Sequence, residues 1–523
     1  MLALSMNKKR EFKLFLRILV KTVWAVGLMA ILTSCGTSPG YNYTISGTVS
    51  GMIGSGLVLQ DNGGDDRSIS ANGSFAFVTA LTTGTAYSVT VKTQPTNPSQ
   101  TCVVSNGSGT ISGSPVMDVA VSCVMNSSPV TVDPFGLFAY VSNSSLSDID
   151  AYIINQTTGA LTPVITSPFP TGTIPSQVTV DPSGNFAYVA NIGDGTISAY
   201  TIDNTSSSTP GALIPVTGSP FTAGTGPASV TIYPYTSGSF APSGEFVYVA
   251  NIGGGTISAY TIDNTSSSTP GALIPVTGSP FTAGTSPVSV TTYTNSSGAY
   301  AYVPNMSDGT ISAYTINTDG SLTPSINTPT IAAGTYPVSF TTYTGTSGAY
   351  AYVANMGGGN ISLYTINSDG SLSTNGNAVT ADIYPASVTI YPNPSGTYAY
   401  AYVSNMGSSD ITAFEISPSS GVFEIYVPGS NFPTGTYPNP VTLYTNSSGT
   451  FAYVSDRNDG NIWVYSINGT NGVLTNIQTM VTTGTSFTTV TIDPQGPYAY
   501  VSDVNTGAVY AFTIGADGKL TAL

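Results

Sequence analysis

The stretch from Asp181 to Ile202 has the sequence D-P-S-G-N-F-A-Y-V-A-N-I-G-D-G-T-I-S-A-Y-T-I. Its opening Asp-Pro-Ser-Gly fits a type I turn, with Asp first, Pro second and Gly fourth. Residues 186–190 are apolar at every position, which is typical of a strand covered on both faces. Residues 191–195 turn the chain, and residues 196–202 alternate in the manner of a second strand. The stretch therefore predicts a hairpin buried inside a larger β structure.

The centre of this hairpin recurs along the chain as a Tyr-Val quartet that ends in Asn or Asp. Its tyrosines are spaced by 47 to 60 residues, at Tyr140, Tyr188, Tyr248, Tyr302, Tyr352, Tyr402, Tyr453 and Tyr500. A period near 50 in a strand-rich sequence indicates a β-propeller, in which each repeat forms one four-stranded blade. We therefore predict an all-β protein with a propeller over residues 130–523. Eight motifs favour eight blades. The alternative is a propeller of seven blades in which one of the motifs does not form a blade.

The first 35 residues have the pattern of an export signal. A basic segment at Lys8–Arg10 precedes a short apolar run that is too short to span a membrane. The run ends in Leu32-Thr33-Ser34-Cys35, which resembles the lipobox of bacterial lipoproteins. This resemblance implies cleavage before Cys35, lipidation of its sulfur and a lipid anchor in the membrane. Because Gly36 follows the cysteine, we expect the outer membrane or the cell surface, with residues 36–40 as a linker.

Residues 41–128 have a shorter alternating pattern, with five to seven strands in under 90 residues. Such strands, with Asn-Gly turns between them, favour a small sandwich like those of immunoglobulin-type modules. Cys102 and Cys123 lie near the ends of the last strand pair, and export would place them where disulfides persist. We therefore predict a Cys102–Cys123 disulfide in this domain.

The composition excludes several classes of function. Charged residues make up 7% of the chain, and no histidine is present, which removes the commonest general base and zinc ligand. Four basic and 24 acidic residues follow Cys35, so the exported part carries a net charge of −20. A surface of that charge repels phosphate backbones, and we expect no nucleic-acid partner. The sequence indicates no metal ion and no cofactor.

The repeats resemble YVTN-type β-propellers and, more broadly, the lactonase family related to 6-phosphogluconolactonase. The resemblance rests on the Asp181–Ile202 pattern and its recurrences, and it covers about 390 of the 523 residues. That family usually has seven blades. The resemblance implies the architecture strongly and lactone hydrolysis more weakly, and the sequence identifies no catalytic residue.

Two groups of residues are candidates for a ligand or partner face. The first is the asparagine that ends the quartet; the strand-end hydrogen bonds that Asn commonly makes are the competing explanation. Its members are Asn191, Asn251, Asn305, Asn355 and Asn405. The second is Arg457, the only arginine of the propeller, between Asp456 and Asp459. A rim salt bridge is the alternative for this group.

Three functions fit these observations. The first is a non-catalytic, membrane-anchored binding or scaffold protein of the cell envelope, whose partner would be an envelope protein, a glycan or a small ligand. The second is a lactone hydrolase, by resemblance to the family. The third is an exported dehydrogenase that uses a quinone, which the scarcity of basic residues disfavours.

Overall fold

The computed structural model of the protein describes residues 42–50, 52, 55–95, 100–125, 128–205, 208–233, 245–264, 269–393, 398–481 and 484–523. The export signal and Cys35 lie outside the described residues. Within these ranges the structure is almost wholly β, with a single 3-10 turn at Met356–Gly358. None of the described helical segments is long and apolar enough to cross a membrane.

Two four-stranded sheets form the small domain. The first contains, in spatial order, Gly73–Ala76, Ile45–Ser50, Val116–Met125 and Gln100–Ser105. The second contains Asp65–Ile69, Leu57–Asp61, Ala86–Thr93 and Ser108–Thr110. A short pair, Asn42–Tyr43 with Leu81–Thr82, completes the domain. Apolar side chains from both sheets share one core that includes Ile45, Leu59 and Phe75, so this unit buries a core of its own.

The predicted disulfide is present. Cys102 and Cys123 lie directly opposite each other on the antiparallel pair Gln100–Ser105 and Val116–Met125, and both are buried in the core of the small domain. In immunoglobulin domains the disulfide joins two sheets and the sheets are antiparallel. Here the disulfide joins neighbours within one sheet, and that sheet also contains a parallel pair between Ile45–Ser50 and Val116–Met125.

The described residues of the rest of the chain form eight antiparallel sheets, one for each Tyr-Val quartet. We call them blades 1 to 8 in chain order and name their strands A to D from the axis outward. The A strands are Thr131–Val132, Thr179–Val180, Pro227–Tyr233, Thr291–Asn295, Pro337–Thr344, Pro385–Pro392, Thr442–Asn446 and Thr491–Ile492. The B strands are Phe138–Asn143, Phe186–Asn191, Phe246–Asn251, Gly298–Asn305, Ala349–Asn355, Ala399–Asn405, Gly449–Ser455 and Tyr498–Ser502.

Each blade also has an outer pair of strands, C and D. The C strands are Asp148–Ile154, Thr196–Ile202, Thr256–Asp263, Thr310–Ile316, Asn360–Ile366, Asp410–Ile416, Asn461–Ile467 and Val509–Ile514. The D strands are Leu161–Pro163, Leu213–Pro215, Ala272–Pro275, Leu322–Pro324, Leu372–Thr374, Phe423–Tyr426, Leu474–Val481 and Leu520–Ala522. In blades 1 to 6 a short fifth strand also pairs with strand C, at Phe169–Pro170, Phe221–Thr222, Phe281–Thr282, Thr330–Ala332, Val379–Thr380 and Phe432–Pro433.

A closed circuit of threonine hydrogen bonds joins the A strands around the axis. In every blade a threonine hydroxyl donates to a backbone carbonyl on strand A of the next blade, or just before it, over 2.6 to 3.3 Å. The last of these bonds runs from Thr491 in blade 8 to Val130 beside blade 1. The β-branched threonine suits a strand, and its hydroxyl also supplies the contact between blades.

The recurrent tyrosine makes a second closed circuit farther from the axis. Its buried hydroxyl donates to the carbonyl of a turn glycine between strands C and D of the next blade, over 2.8 to 3.1 Å. Burial raises the pKa of Tyr302 far above its usual range, so this hydroxyl remains a donor. Tyr500 closes the circuit on Gly159 of blade 1. Both circuits contain eight members, and each blade keeps its own four strands.

Candidate functional site

A cavity of about 190 Å³ opens at the axis, where the A strands begin and the B strands end. Blades 1, 2, 3, 7 and 8 contribute its walls, and no carboxylate is among the described residues that line it. The described lining residues include hydroxyl and amide side chains, apolar side chains and one cation, Arg457. These residues are Ser128, Pro129, Pro175, Ser176, Gln177, Ile192, Ala228, Asn439, Arg457, Phe487, Thr488, Thr489 and Val504.

Arg457 is the cation of this cavity. It follows strand B of blade 7, and its backbone N–H donates to the carbonyl of Tyr437 over 3.1 Å. Its Nε donates to Asn439 Oδ1 over 2.7 Å. Burial lowers the pKa of the Arg457 guanidinium to about 10, so it stays charged at neutral pH. Among the described residues the only ion pairs are Lys92–Asp66 and Lys519–Asp517, which leaves Arg457 without a counter-ion there.

Asn439 fixes the direction of the guanidinium. This side chain is 1% exposed, and its Nδ2 donates to the carbonyl of Phe487 over 2.7 Å as well as to Ser455. With the amide nitrogen held on one side, Oδ1 is turned toward Arg457. Asn439 was not among the residues predicted from the sequence, although a signal for it was present. The matching position in most other blades is small or apolar, as in Ala228 and Val338.

The structure separates the predicted group of Arg457, Asp456 and Asp459. Asp456 Oδ2 accepts from the Gly435 N–H over 3.1 Å and from Trp463 Nε1 over 2.7 Å. Asp459 Oδ2 accepts from the Thr436 N–H over 2.6 Å. Both carboxylates therefore bind the loop around residues 434–436, whereas Arg457 is bonded to Asn439. In the part of the chain that is described, the alternative rim salt bridge does not form.

Asp456 has a carboxyl group whose pKa is raised by its surroundings. It is fully buried, burial raises its pKa to about 8, and the neighbouring charge of Asp459 adds to the effect. Its Oδ1 has no hydrogen-bond partner among the described groups. The group lies beside the axial cavity in sequence, yet it is not part of the cavity wall.

The recurrent asparagines are parts of the blade framework. Asn251 is fully buried; its Nδ2 donates to Thr256 and Ser258, and its Oδ1 accepts from the Gly224 N–H over 3.2 Å. The matching asparagines have equivalent Nδ2 contacts and are equally buried, so none has accessible surface to offer a ligand. They are Asn191, Asn305, Asn355 and Asn405.

In blade 7 the donor and the acceptor of this hydrogen bond are exchanged. Where blades 2 to 6 have a serine or threonine that accepts from the asparagine, blade 7 has Trp463, whose Nε1 can only donate. An aspartate at position 456 supplies the acceptor that the indole requires. The coupled change from Asn and Ser to Asp456 and Trp463 is visible in the sequence, and it shows that blade 7 departs from the repeat beside its arginine.

The cavity can bind a small ligand that carries or develops negative charge. One guanidinium, fixed by a buried amide that accepts its Nε–H, leaves up to four N–H donors in a rigid plane. Hydroxyl and amide groups such as Gln177 add polar contacts, and Phe487 and Ile192 exclude water. Since no carboxylate is found among the described lining residues, a small organic anion is not repelled there despite the negative charge of the whole chain.

Several solved structures are similar to this chain at low sequence identity. Yeast Sqt1 from Saccharomyces cerevisiae is 12% identical, with 76% of this chain and 96% of that one covered at a TM-score of 0.50. The periplasmic gluconolactonase PpgL of Pseudomonas aeruginosa is 15% identical over 76% and 94% of the two chains, at a TM-score of 0.45. A candidate 6-phosphogluconolactonase of Bacteroides uniformis is 17% identical over 72% and 90%, at a TM-score of 0.44. Among curated proteins none matches the sequence.

The family itself is identified by its sequence profile. The model described as "Lactonase, 7-bladed beta-propeller" matches residues 104–437 and 399–523, which is most of the chain. Both the predicted propeller and the resemblance to lactonases are thereby confirmed, although this chain has eight blade sheets where the family description gives seven. The chain belongs to the β-propeller lactonase family.

Proposed function

We propose that the protein hydrolyses an unphosphorylated sugar lactone in the axial cavity. The observation that carries this proposal is Arg457, a guanidinium that has no counter-ion among the described residues and lines a cavity in which they place no carboxylate. Membership of the lactonase family favours this reaction over the purely non-catalytic alternative.

The reaction needs a group that stabilises the charge of its intermediate. Water adds to the lactone carbonyl carbon and loses one proton to the solvent, and the carbonyl oxygen becomes an oxyanion. The bond from that carbon to the ring oxygen then breaks, the ring oxygen takes up the remaining proton of the added water, and a hydroxy acid is released as its carboxylate. The Arg457 guanidinium can donate to the oxyanion and afterwards to the carboxylate. Asn439 holds it in place, so little reorganisation is needed during the reaction.

The expected substrate lacks a phosphate group. A phosphate ester adds about two negative charges near neutral pH, and it usually needs several Arg or Lys contacts. The propeller contains only Arg457 and Lys519, and Lys519 pairs with Asp517 over 3.2 Å. One guanidinium can serve either the reacting oxyanion or a distant phosphate, but not both.

The test compares two substrates with the purified full chain. Hydrolysis of gluconolactone and of 6-phosphogluconolactone would be followed by release of acid, with spontaneous ring opening subtracted. We expect turnover of the plain lactone and much weaker turnover of the phosphorylated one. A preference for the phosphorylated lactone would contradict the charge argument, and no turnover of either would contradict the proposed reaction.

We further propose that the protein is lipid-anchored at Cys35, on the outer membrane or the cell surface. The support is the lipobox-like Leu32–Cys35 after a basic and apolar leader. In a bacterial host, Cys35→Ser should move the protein from the membrane fraction to the soluble fraction and abolish incorporation of labelled fatty acid. Cys102→Ser serves as the control, because it removes a different cysteine and should leave the label in place. Wild-type protein without lipid label would contradict the anchor.

A further inference from the structure

A second cavity, of about 350 Å³, lies between the small domain and the propeller. Met52, Ser70, Ala71 and Asn72 form its wall on the side of the small domain. Asn72 is fixed there by a pair of bonds to the backbone of Met52, over 2.7 and 2.8 Å. The propeller wall comes from blades 5, 6 and 7 and the neighbouring loops, at Thr335, Tyr336, Met356, Gly357, Tyr384, Met406 and Tyr437. Within the described ranges, no charged side chain lines this cavity.

Tyr336, Tyr384 and Tyr437 occupy the same position in three successive blades. Each directly precedes a proline, and each has a left-handed backbone, with φ of 54°, 57° and 56°. A bulky side chain is strained in this region, whereas glycine adopts it freely. Blades 2, 3 and 4 have Ile174, Gly226 and Ser286 at the same position, with φ of 55°, 63° and 58°. The fold therefore does not require tyrosine here, and its presence in three adjacent blades needs another reason.

The hydroxyls of these three tyrosines have no partner within the described protein. By contrast, the eight tyrosines of the inter-blade circuit all donate to carbonyl groups. Two of the three rings also contact a glycine of the cavity region. A Cβ on Gly357 would come within 2.5 Å of the Tyr336 ring, and one on Gly407 within 2.8 Å of the Tyr384 ring. The Cδ2 atom of each of these two rings therefore lies against a glycine, and Tyr384 remains 49% exposed.

From this arrangement we propose that the second cavity binds a neutral saccharide. Aromatic faces stack against the C–H faces of sugar rings, and free phenol hydroxyls exchange hydrogen bonds with sugar hydroxyls. The cavity volume suits a ligand of one or two sugar rings. An anionic ligand would find no cation in the described wall, and a wholly apolar ligand would leave three hydroxyls unpaired. The uncharged lining and the free hydroxyls together favour a neutral saccharide over an anionic or an apolar ligand.

The saccharide site is distinct from the axial cavity but lies close to it. Tyr437 lines the saccharide site and Asn439 lines the axial cavity, two residues farther along the chain. Because the two cavities use different residues, saccharide binding does not depend on the proposed hydrolysis. Arg457 can be changed without altering any residue of the saccharide site.

The experiment measures binding of maltose, cellobiose and chitobiose to the full chain by titration calorimetry. We expect at least one of these neutral disaccharides to bind, and Tyr384→Gly to weaken that binding at least tenfold. The glycine matches the local backbone and copies Gly226, so the variant should fold. The matched control is Ile174→Gly, which makes the same backbone change at the same position of blade 2, where φ is 55° and the side chain is outside the cavity.

Each of the following outcomes either supports or overturns the proposed saccharide site. Weakened binding in Tyr384→Gly but not in Ile174→Gly or Arg457→Gln would support it. Binding of none of the three disaccharides, equal binding by Tyr384→Gly, or tighter binding of glucuronic acid than of any neutral sugar would overturn it. None of these results bears on lactone turnover, so the failure of one proposal can be told apart from the failure of the other.

Discussion

Replacement of Gly370 by alanine should lower the free energy of unfolding by about 3 kcal/mol or more, summed from a left-handed backbone and an overpacked contact. Gly370 lies in the turn between strands C and D of blade 5, with φ of 76°. Its carbonyl accepts the Tyr302 hydroxyl of blade 4 over 2.8 Å. A Cβ here would lie 2.0 Å from the Tyr300 ring, which is 4% exposed and has no room to move.

Gly376→Ala separates the two causes of this loss. Gly376 is in the same blade and has φ of 82°, but no described atom lies within 4 Å of the position that a Cβ would take. Its replacement should cost only the backbone term, about 1 kcal/mol. Urea unfolding of both variants, followed by circular dichroism, gives the comparison. Equal losses in the two variants would show that contact between the blades at Gly370 contributes little to stability.

Arg457→Gln should reduce kcat for lactone hydrolysis by about 100- to 1000-fold, the effect typical of removing one oxyanion donor. Glutamine keeps a polar side chain of similar length but removes the positive charge. The described lining offers no second cation that could take over the role, since Lys519 is not part of it. With a pKa of about 10, the guanidinium is fully charged between about pH 6 and 8, so the wild-type rate should not titrate through this group there.

Lys519→Gln is the matched control for Arg457→Gln. It removes the other cation of the propeller and changes the net charge of the chain by the same amount. Its side chain is 51% exposed and far from the axis in blade 8, so the rate should be unchanged. Equal losses in the two variants would indicate long-range electrostatics rather than a local role, and full activity of Arg457→Gln would exclude the proposed mechanism.

Local sequence patterns predicted most of the fold. The Tyr-Val quartet and its period indicated the repeated sheets, because an apolar strand covered on both faces must pack between two neighbours. The Asp-Pro-Ser-Gly turn is present as expected, with Asp181 Oδ1 accepting from the Asn185 and Phe186 N–H groups over 2.9 and 2.6 Å. The pairing of Cys102 with Cys123 was also predictable, since both lay on one expected strand pair.

The sites were less predictable, because their contacts join residues far apart in sequence. Arg457 was singled out as the only arginine of the propeller, but its neighbours in sequence suggested a carboxylate partner, and none of the described carboxylates pairs with it. The partner is Asn439, 18 residues earlier and on another strand-end loop. The recurrent asparagines were conspicuous because they repeat, and they repeat because each blade needs the same internal hydrogen bonds.

The sequence by itself determined that the protein is an all-β chain of repeated blades, because each repeat contains the turns and the two-sided apolar strand of its own sheet. Only the tertiary structure decided how the blades join, because each tyrosine within the ring reaches a carbonyl 65 to 83 residues away and the last reaches back 341 residues. It also decided which side chains face a cavity. Tyr336, Tyr384 and Tyr437 meet Asn72 there because ring closure and the placement of the small domain bring four distant segments together.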